Sequence, residues 1–306
     1  MYTYSLPRWV LFFLCYSFLG WCIETTFVSC RRHHFVNRGF LRGPVIPLYG
    51  SGAIAILFVS LPVERYPVAV FFLGGLACTI LEYCTGAIME ATLKVRYWDY
   101  TENRFNLNGY ICLGTSVAWC FLSDALVYGV HRVVAPVVLG IPDTAVGTLS
   151  FALACLFTAD LAISLHAAVN LRRLLEQLHE HSERAIEEFR SLQKRMEVAG
   201  ALRRDAIVDR MAESPRGAGL LRRIEAMEQA AERLEQTETV QKLRMDLAVW
   251  KARRAAQRES LRLRMTWDQR LMLRDNPTAR SRQYAEQWKL LSGNEDADET
   301  EDKVEQ

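Results

Sequence analysis

The chain has 306 residues, of which 50% are hydrophobic and 24% are charged, and its formal net charge is +2. These averages combine two unlike halves, because the chain is apolar and aromatic up to about residue 170 and rich in Arg, Glu, Leu, Ala and Gln from Leu171 onward. The Arg residues of the second half are interleaved with Glu at helical spacing. That pattern is typical of a solvated, paired surface, and it excludes nucleic acid as the expected partner.

Five apolar segments are long enough, or nearly so, to cross a membrane. A helix needs about 20 apolar residues to span a hydrocarbon core of roughly 30 Å. The segments are 9–29, 45–61, 68–93, 111–131 and 146–166. The first is too long for the apolar region of a signal peptide, and the second is short and begins with Gly and Pro, as in a broken or re-entrant helix. The sequence predicts an all-α polytopic membrane helix bundle of about five spans.

Basic residues are concentrated in alternate connections of this bundle. The connections after the first and third segments carry several Arg and Lys residues, and the tail after the fifth begins with Arg172 and Arg173. Because positive residues favour the cytoplasmic side, we expect the N-terminus outside and the C-terminus in the cytoplasm. The expected location is a bacterial plasma (inner) membrane, with membrane lipid as the surroundings.

The tail has helical periodicity. Apolar residues recur every three, four or seven positions from Leu171 to Met196 and again from Leu220 to Trp250, with a break at residues 214–219. We expect a transmembrane domain at 1–169, a cytoplasmic helical tail resembling a coiled coil at 170–292, and a disordered acidic terminus at 293–306. Such a tail would serve self-association or the binding of a protein partner.

The connection between the first two segments has an unusual composition. Residues 37–52 contain two prolines and four glycines, together with Arg38 and Arg42. Irregular backbone at membrane depth is tolerated only when it is buried in protein or lines a wet cavity. This connection is therefore a candidate functional element, and its two arginines could meet anions or lipid headgroups.

Ionisable residues within the apolar segments are costly and usually face the bundle interior. They are Glu24, Glu82, Glu90, Asp124 and Asp160. Two interpretations of the glutamates remain open. Glu24 and Glu90 could pair with Arg38, Arg42 or Arg96 and hold the loops in place, or Glu24 and Glu82 could handle protons or cations in a pathway.

A second candidate loop follows the third segment on the same predicted side. It contains Trp98, Asp99, Asn106 and Asn108. An aromatic residue at a helix end is commonly an interfacial anchor. Asp99 could also face Arg38, either as a structural lock between the two loops or as part of a ligand site.

Motifs for several kinds of chemistry are missing from the sequence. No Gly-x-x-x-x-Gly-Lys-Ser/Thr phosphate loop occurs, so ATP hydrolysis would need a separate subunit. Cys30, His33 and His34 lack a recognised metal spacing, and no catalytic triad or His-Glu-x-x-His pattern is persuasive. We expect no metal, no cofactor and no enzymatic activity.

The apolar half resembles the bacterial family named putative ABC-transporter type IV, or CmpB-like, which has small multi-pass transmembrane relatives in animals. The resemblance covers roughly residues 11–134 and leaves out the tail. The residues that carry it are Phe13, Tyr16, Leu19, Gly20, Trp21 and Glu24, then 37–41, Gly43, Pro44, Pro47, Tyr49, Gly50 and Gly52, then Leu81, Glu82, 98–100, Asn106, Gly109 and 111–113. The family name implies a permease subunit and supplies no catalytic residue.

Three functional hypotheses follow. The first is a permease-type transporter component without its own ATPase, acting with a separate ATP-binding subunit on an unknown substrate. The alternative is a membrane-anchored scaffold or sensor that recruits partners through the tail. A third is a membrane enzyme acting on lipid headgroups near Arg38 and Asp99.

Overall fold

A computed structural model describes residues 4–198, 238–263, 265–276 and 278–292. The chain forms two compact units. One unit comprises Met1–Arg172 with Thr266–Ala285, and the other comprises Arg173–Met265 with Glu286–Gln306. The predicted break at 214–219 and the acidic terminus at 293–306 lie outside the described residues. So does the first part of the apolar series that begins at Leu220, whereas its last part, up to Trp250, lies in the helix Glu238–Leu263.

Helices make up nearly all of the regular structure in the described residues. In chain order they are α1 (Leu6–Arg32), α2 (Pro47–Ser60), α3 (Pro67–Leu93), α4 (Leu113–Ala125), α5 (His131–Leu139), α6 (Asp143–Val198), α7 (Glu238–Leu263), α8 (Trp267–Asp275) and α9 (Ala285–Ser292). A 3₁₀ turn (Leu61–Val63) extends α2, and a π-helical turn (Leu126–Val130) joins α4 to α5. The short strands β1 (Asn106–Leu107) and β2 (Ile111–Cys112) pair antiparallel, with Asn106 opposite Cys112.

The prediction of an all-α membrane helix bundle is confirmed. Among the described residues, four helical stretches are long and apolar enough to cross a membrane, and they are Leu6–Arg32, Pro67–Leu93, Leu113–Leu139 and Asp143–Arg184. The other predicted segment forms the shorter apolar helix Pro47–Val63. Its length is about 25 Å at 1.5 Å per residue, less than the hydrocarbon core of roughly 30 Å.

The fourth span is longer than predicted. The apolar run was expected to end near residue 131, but helix continues through the π-helical turn to Leu139. Pro136 lies inside α5, and the helix ends three residues later. Arg132, which lies just beyond the predicted segment 111–131, is therefore part of the helix.

Proline and left-handed residues mark the ends of the first helices. Proline occupies the first turn of α1, α2 and α3, where its missing N–H has no helical partner to lose. Helices α1 and α3 both end at a residue with positive φ, His33 at 56° and Lys94 at 58°. Such a residue stops a helix and turns the chain back across its end. Both candidate loops therefore begin with a residue in the left-handed helical conformation.

Consecutive helices pack side by side, so α2 lies between α1 and α3, and α3 also packs on α4. The core combines large side chains with close helix contacts. It includes Leu11, Phe12, Tyr16, Ile56, Leu57, Val70, Cys78 and Val127. Gly75 lies directly against Cys120, which lets α3 and α4 approach closely. This packing lets Glu24 of α1, Glu82 of α3 and Trp119 of α4 line a common cavity.

Candidate functional site

The loop after α1, residues 33–46, is tied to the helices by hydrogen bonds. Trp21 donates its indole N–H to the side-chain Oδ1 of Asn37 at 2.6 Å, and the backbone N–H of Arg38 donates to the Thr25 hydroxyl at 3.2 Å. The Asp160 carboxylate on α6 accepts the backbone N–H groups of Arg42 and Gly43 at 3.2 and 2.9 Å. The irregular backbone is thus satisfied by protein groups, as the sequence argument requires.

The loop after α3, residues 94–110, is organised around Arg96, whose side chain is only 4% exposed. Its Nε donates to Glu90 at 2.6 Å, and its Nη1 donates to Asp99 at 3.2 Å and to the Asn108 carbonyl at 2.9 Å. The guanidinium also lies 4.5 Å from the centre of the Tyr110 ring. One buried cation therefore holds the helix end and both sides of the loop together.

A segment from the far end of the chain, Thr266–Ala285, belongs to the same compact unit, and we call it the cap segment. Its helix α8 begins with a capping box, in which Thr266 and Gln269 exchange hydrogen bonds. After α8 the chain runs beside the second loop, where Arg96 and Arg280 exchange backbone hydrogen bonds of 2.7 and 2.8 Å.

Side chains of the cap segment contact both loops. Arg42 of the first loop forms an ion pair with Asp268. Thr278 accepts a hydrogen bond from Arg38 at 3.0 Å and donates to the backbone carbonyl of Tyr97 at 3.2 Å. The two loops and the cap segment therefore lie together at one end of the bundle.

A cavity of about 680 Å³ lies at this end of the bundle, and its wall includes residues from α1, both loops, α3, α4, α6 and the cap segment. Its ionisable lining residues are Glu24, Glu82, Asp99 and Arg38. Its aromatic lining residues are Phe40, Tyr49, Tyr97, Trp98, Tyr100 and Trp119. The remaining wall is largely aliphatic, so a few charged groups face an apolar space.

Glu82 is the most deeply buried carboxylate of this cavity, with 4% of its surface exposed. One carboxylate oxygen accepts the indole N–H of Trp119 at 3.0 Å, and the other accepts the Tyr100 hydroxyl at 3.3 Å. Neutral donors stabilise an ionised carboxylate without cancelling its charge. Within the described part of the chain, no basic side chain forms an ion pair with Glu82.

Glu24 is held differently, because it has a cationic partner. Arg38 donates from Nε to one Glu24 oxygen at 3.3 Å, and the Tyr49 hydroxyl donates to the other at 2.7 Å. Tyr49 in turn lies against Gly20 of α1, at a position where a Cβ atom would overlap the tyrosine ring. Glycine at this position therefore allows Tyr49 to reach Glu24.

Asp99 is fixed by donors from its own loop and from the cap segment. Partial burial alone would raise its pKa, but hydrogen bonds from the Thr101 side chain and backbone N–H, together with the charges of Arg282 and Arg96, outweigh that effect. The pKa of Asp99 consequently lies below its ordinary value, and the group is ionised near neutrality.

The tyrosines that border the cavity outside the helices remain protonated. Burial raises the pKa of Tyr97 above its ordinary value, and burial together with the hydrogen bond to Glu82 does the same for Tyr100. Tyr100 is therefore a stable hydrogen-bond donor to Glu82 at neutral pH.

The residues proposed from sequence fall into two groups in the structure. Five of them, Glu24, Arg38, Glu82, Trp98 and Asp99, line the cavity together. The other four lie outside its lining and have contacts of their own, which are Arg42 with Asp268, Glu90 with Arg96 and Tyr110, Asn106 with the Thr101 and Asn103 carbonyls, and Asn108 with Tyr83.

The structure bears on one of the two interpretations of the glutamates, the ion pairs, and the handling of protons or cations by Glu24 and Glu82 stays a prediction. The expected ion pairs Glu24–Arg38 and Glu90–Arg96 are present. Asp99 pairs with Arg96 and Arg282, although it lines the same cavity as Arg38. The loops do meet directly through Phe40 and Tyr97, whose ring centres are 5.5 Å apart.

Three contributors to the site were not selected from the sequence. Trp119 lies in an apolar helix without a motif, and Tyr100 lies beside Trp98 at a helix end, where aromatic residues are commonly interfacial anchors. Thr278 belongs to the tail, where helical periodicity drew attention to the apolar residues instead. The sequence did offer one indication for Trp119. A buried indole N–H needs an acceptor, and an intramembrane carboxylate such as Glu82 can be that acceptor.

Comparison with known proteins gives one match. A family model described as "Putative ABC-transporter type IV" matches residues 11–165, which include most of α1, all of α2 to α5 and the first part of α6. The matched region contains the four ionisable residues of the cavity, but it ends well before the cap segment. No curated protein and no solved structure matches the chain.

Proposed function

The chain belongs to the family described as "Putative ABC-transporter type IV", and on that basis we propose that it is the permease-type membrane component of a transporter whose ATPase is a separate subunit. The family and the four apolar helices make it a membrane protein in a lipid environment. The observation that carries the proposal is the cavity at one end of the bundle, with the buried Glu82 carboxylate in its wall.

The pairing of the acidic residues that line the cavity favours a role in the passage of a solute over a purely structural role. Glu24 has Arg38 and Asp99 has Arg96, so both carboxylates have local counter-charges. Glu82 has only neutral donors among the described residues. An intramembrane carboxylate without a counter-charge is costly, and such residues commonly mark substrate or ion pathways.

In this proposal the chain binds and releases its substrate but performs no covalent chemistry on it. We propose a bacterial plasma membrane as its location, with the cap segment and both loops on the cytoplasmic side. A conformational change driven by ATP hydrolysis on that side would be transmitted to the cavity by the two loops and the cap segment, which form part of its lining.

The direct test is affinity purification of the full-length protein in mild detergent, with identification and quantification of the proteins that co-purify. The expected result is an ATP-binding subunit at near-equal stoichiometry and ATP hydrolysis by the purified complex. If the tagged protein is fully functional in cells but purifies without any ATP-binding protein, the proposal is contradicted.

A scaffold or sensor role is the second candidate. It is favoured by α6, a helix of 56 residues that continues to Val198, and by the separate helix α7. Truncation after Leu175 removes the tail and the cap segment, whereas Asp268→Asn weakens only the ion pair of the cap segment. Under the scaffold role, the truncation abolishes recruitment of soluble partners and Asp268→Asn preserves it.

A further inference from the structure

We propose that the cavity beside Glu82 binds a small organic cation, a protonated amine or quaternary ammonium that carries apolar groups. This inference rests on the proposed function, because it names the class of substrate that the permease would move. Three independent properties of the cavity support it, namely its charge, its aromatic wall and its size.

Acidic groups outnumber basic groups in the described lining of the cavity. Among the described residues, the carboxyl groups of Glu24, Glu82 and Asp99 and the guanidinium of Arg38 line it. Arg96 and Arg282 compensate Asp99 from outside the lining, which leaves Glu82 as the lining carboxyl group without a basic partner among the described residues. A ligand with one positive charge would supply the missing counter-charge, whereas an anion would be repelled.

The aromatic wall is concentrated around the same carboxylate. Trp119 and Tyr100 are hydrogen-bonded to Glu82, and the Tyr49 ring centre lies 6.0 Å from that of Trp119. Aromatic faces attract cations through their quadrupole, and this attraction is the usual means of recognising quaternary ammonium groups. The carboxylate and the rings thus favour the same kind of ligand.

The size of the cavity selects an organic cation over a metal ion. A volume of about 680 Å³ is within the range of small-molecule sites and far exceeds a single bound ion. Hard cations such as Ca²⁺ require six or more oxygen ligands, and both oxygens of Glu24 and Oδ1 of Asp99 already accept hydrogen bonds from protein donors. Aliphatic residues such as Ile88, Leu122 and Leu161 would cover the apolar part of the ligand.

Isothermal titration of the purified full-length protein with benzyltrimethylammonium chloride tests the proposal. Sodium benzoate, an anion of similar size, and benzyl alcohol, a neutral molecule, serve as comparison ligands. We expect the ammonium ion to bind and benzoate not to bind, with benzyl alcohol weaker than the cation. Equal binding of all three ligands, or no binding of the ammonium ion, would overturn the inference.

Two variants distinguish loss of the carboxylate in the cavity from a general effect on folding. Glu82→Gln keeps the shape of the side chain and should weaken ammonium binding by at least about tenfold. Asp124→Asn is the matched control, because Asp124 is another intramembrane carboxylate but does not line the cavity. Unchanged affinity in Glu82→Gln, or an equal loss in Asp124→Asn, would contradict a site at Glu82.

A second pair of variants at a loop position guards against misfolding of Glu82→Gln. Tyr100→Phe keeps the ring and should retain binding to within a few fold, whereas Tyr100→Leu loses the ring and should bind clearly more weakly. Identical affinities for these two variants would argue against recognition by the aromatic wall. If an ATP-binding subunit co-purifies but no ammonium ion binds, the proposed function stands and only the substrate class is wrong.

Discussion

Arg38 donates a hydrogen bond of 3.0 Å to the hydroxyl of Thr278, a residue 240 positions further along the chain. The same arginine pairs with Glu24 of α1, so one guanidinium contacts both the cap segment and the first helix. Thr278 also belongs to the wall of the cavity. The cap segment is thus both a structural partner of the loops and a part of the candidate binding site.

Ser281 should be a main anchor of the cap segment. Its hydroxyl donates to the Lys94 carbonyl at 2.6 Å and accepts the Tyr284 N–H at 3.2 Å, and the residue is buried. Ser281→Ala should destabilise the docked segment by about 1 kcal/mol and raise hydrogen exchange of its backbone amides about fivefold.

Ser191→Ala is the control for this measurement, because Ser191 makes an exposed hydroxyl-to-carbonyl bond within α6. It should leave exchange in the cap segment unchanged. Wild-type exchange at Arg280 in the Ser281→Ala protein would show that this hydroxyl does not hold the segment.

Gly20→Ala should destabilise the bundle because its methyl group would overlap the Tyr49 ring. We expect a loss of about 1–3 kcal/mol in the free energy of unfolding, together with displacement of Tyr49 from Glu24. Gly147→Ala provides the contrast, since no atom lies within 4 Å of a Cβ placed there. Denaturant titrations of both variants that give the same unfolding free energy would contradict the close packing of α1 on α2.

Arg96→Ala should be among the most damaging single changes in the loops. It would leave Glu90 and Asp99 without their shared partner, and breaking such a buried pair costs about 3 kcal/mol or more. Arg104→Ala in the same loop should change the unfolding free energy by less than about 0.5 kcal/mol, because Arg104 is exposed. The two variants can be compared by denaturant titration in one detergent, and similar losses would disprove a central role for Arg96.

Asp99 should make the stability of the loops depend on pH in the acidic range. Its folded-state pKa is below its ordinary value of about 3.9, so its contribution is complete above that pH and is lost as pH falls through the folded-state pKa. The wild type should therefore be more stable than Asp99→Asn at neutral pH, and this difference should shrink below about pH 4. A difference that stays constant from pH 7 to pH 3 would rule out this assignment.

The helices could be predicted because their apolar runs are long. Two of the ion pairs could be predicted as well, since Glu24 and Glu90 lie in the C-terminal parts of helices that lead into loops with arginine. The two partners of each pair are close in sequence, and the sequence alone shows that one is acidic and the other is basic.

The cap segment could not be predicted, because its contacts leave little trace in side-chain patterns. The pairing of Arg96 with Arg280 uses backbone atoms alone, and Thr278 and Ser281 are small polar residues of a kind found throughout loops. The partner of Glu82 was missed for a related reason, since Trp119 lies in an apolar helix where tryptophan is expected anyway.

The most direct test of the account is ATP-dependent accumulation of radiolabelled benzyltrimethylammonium in membrane vesicles that contain the full-length chain and its co-purifying ATP-binding subunit. Wild type and Asp124→Asn should accumulate the label at the same rate, and Glu82→Gln at equal abundance should accumulate none above vesicles without the chain. Undiminished accumulation in Glu82→Gln would contradict the claim that this carboxylate and its cavity form the transport site.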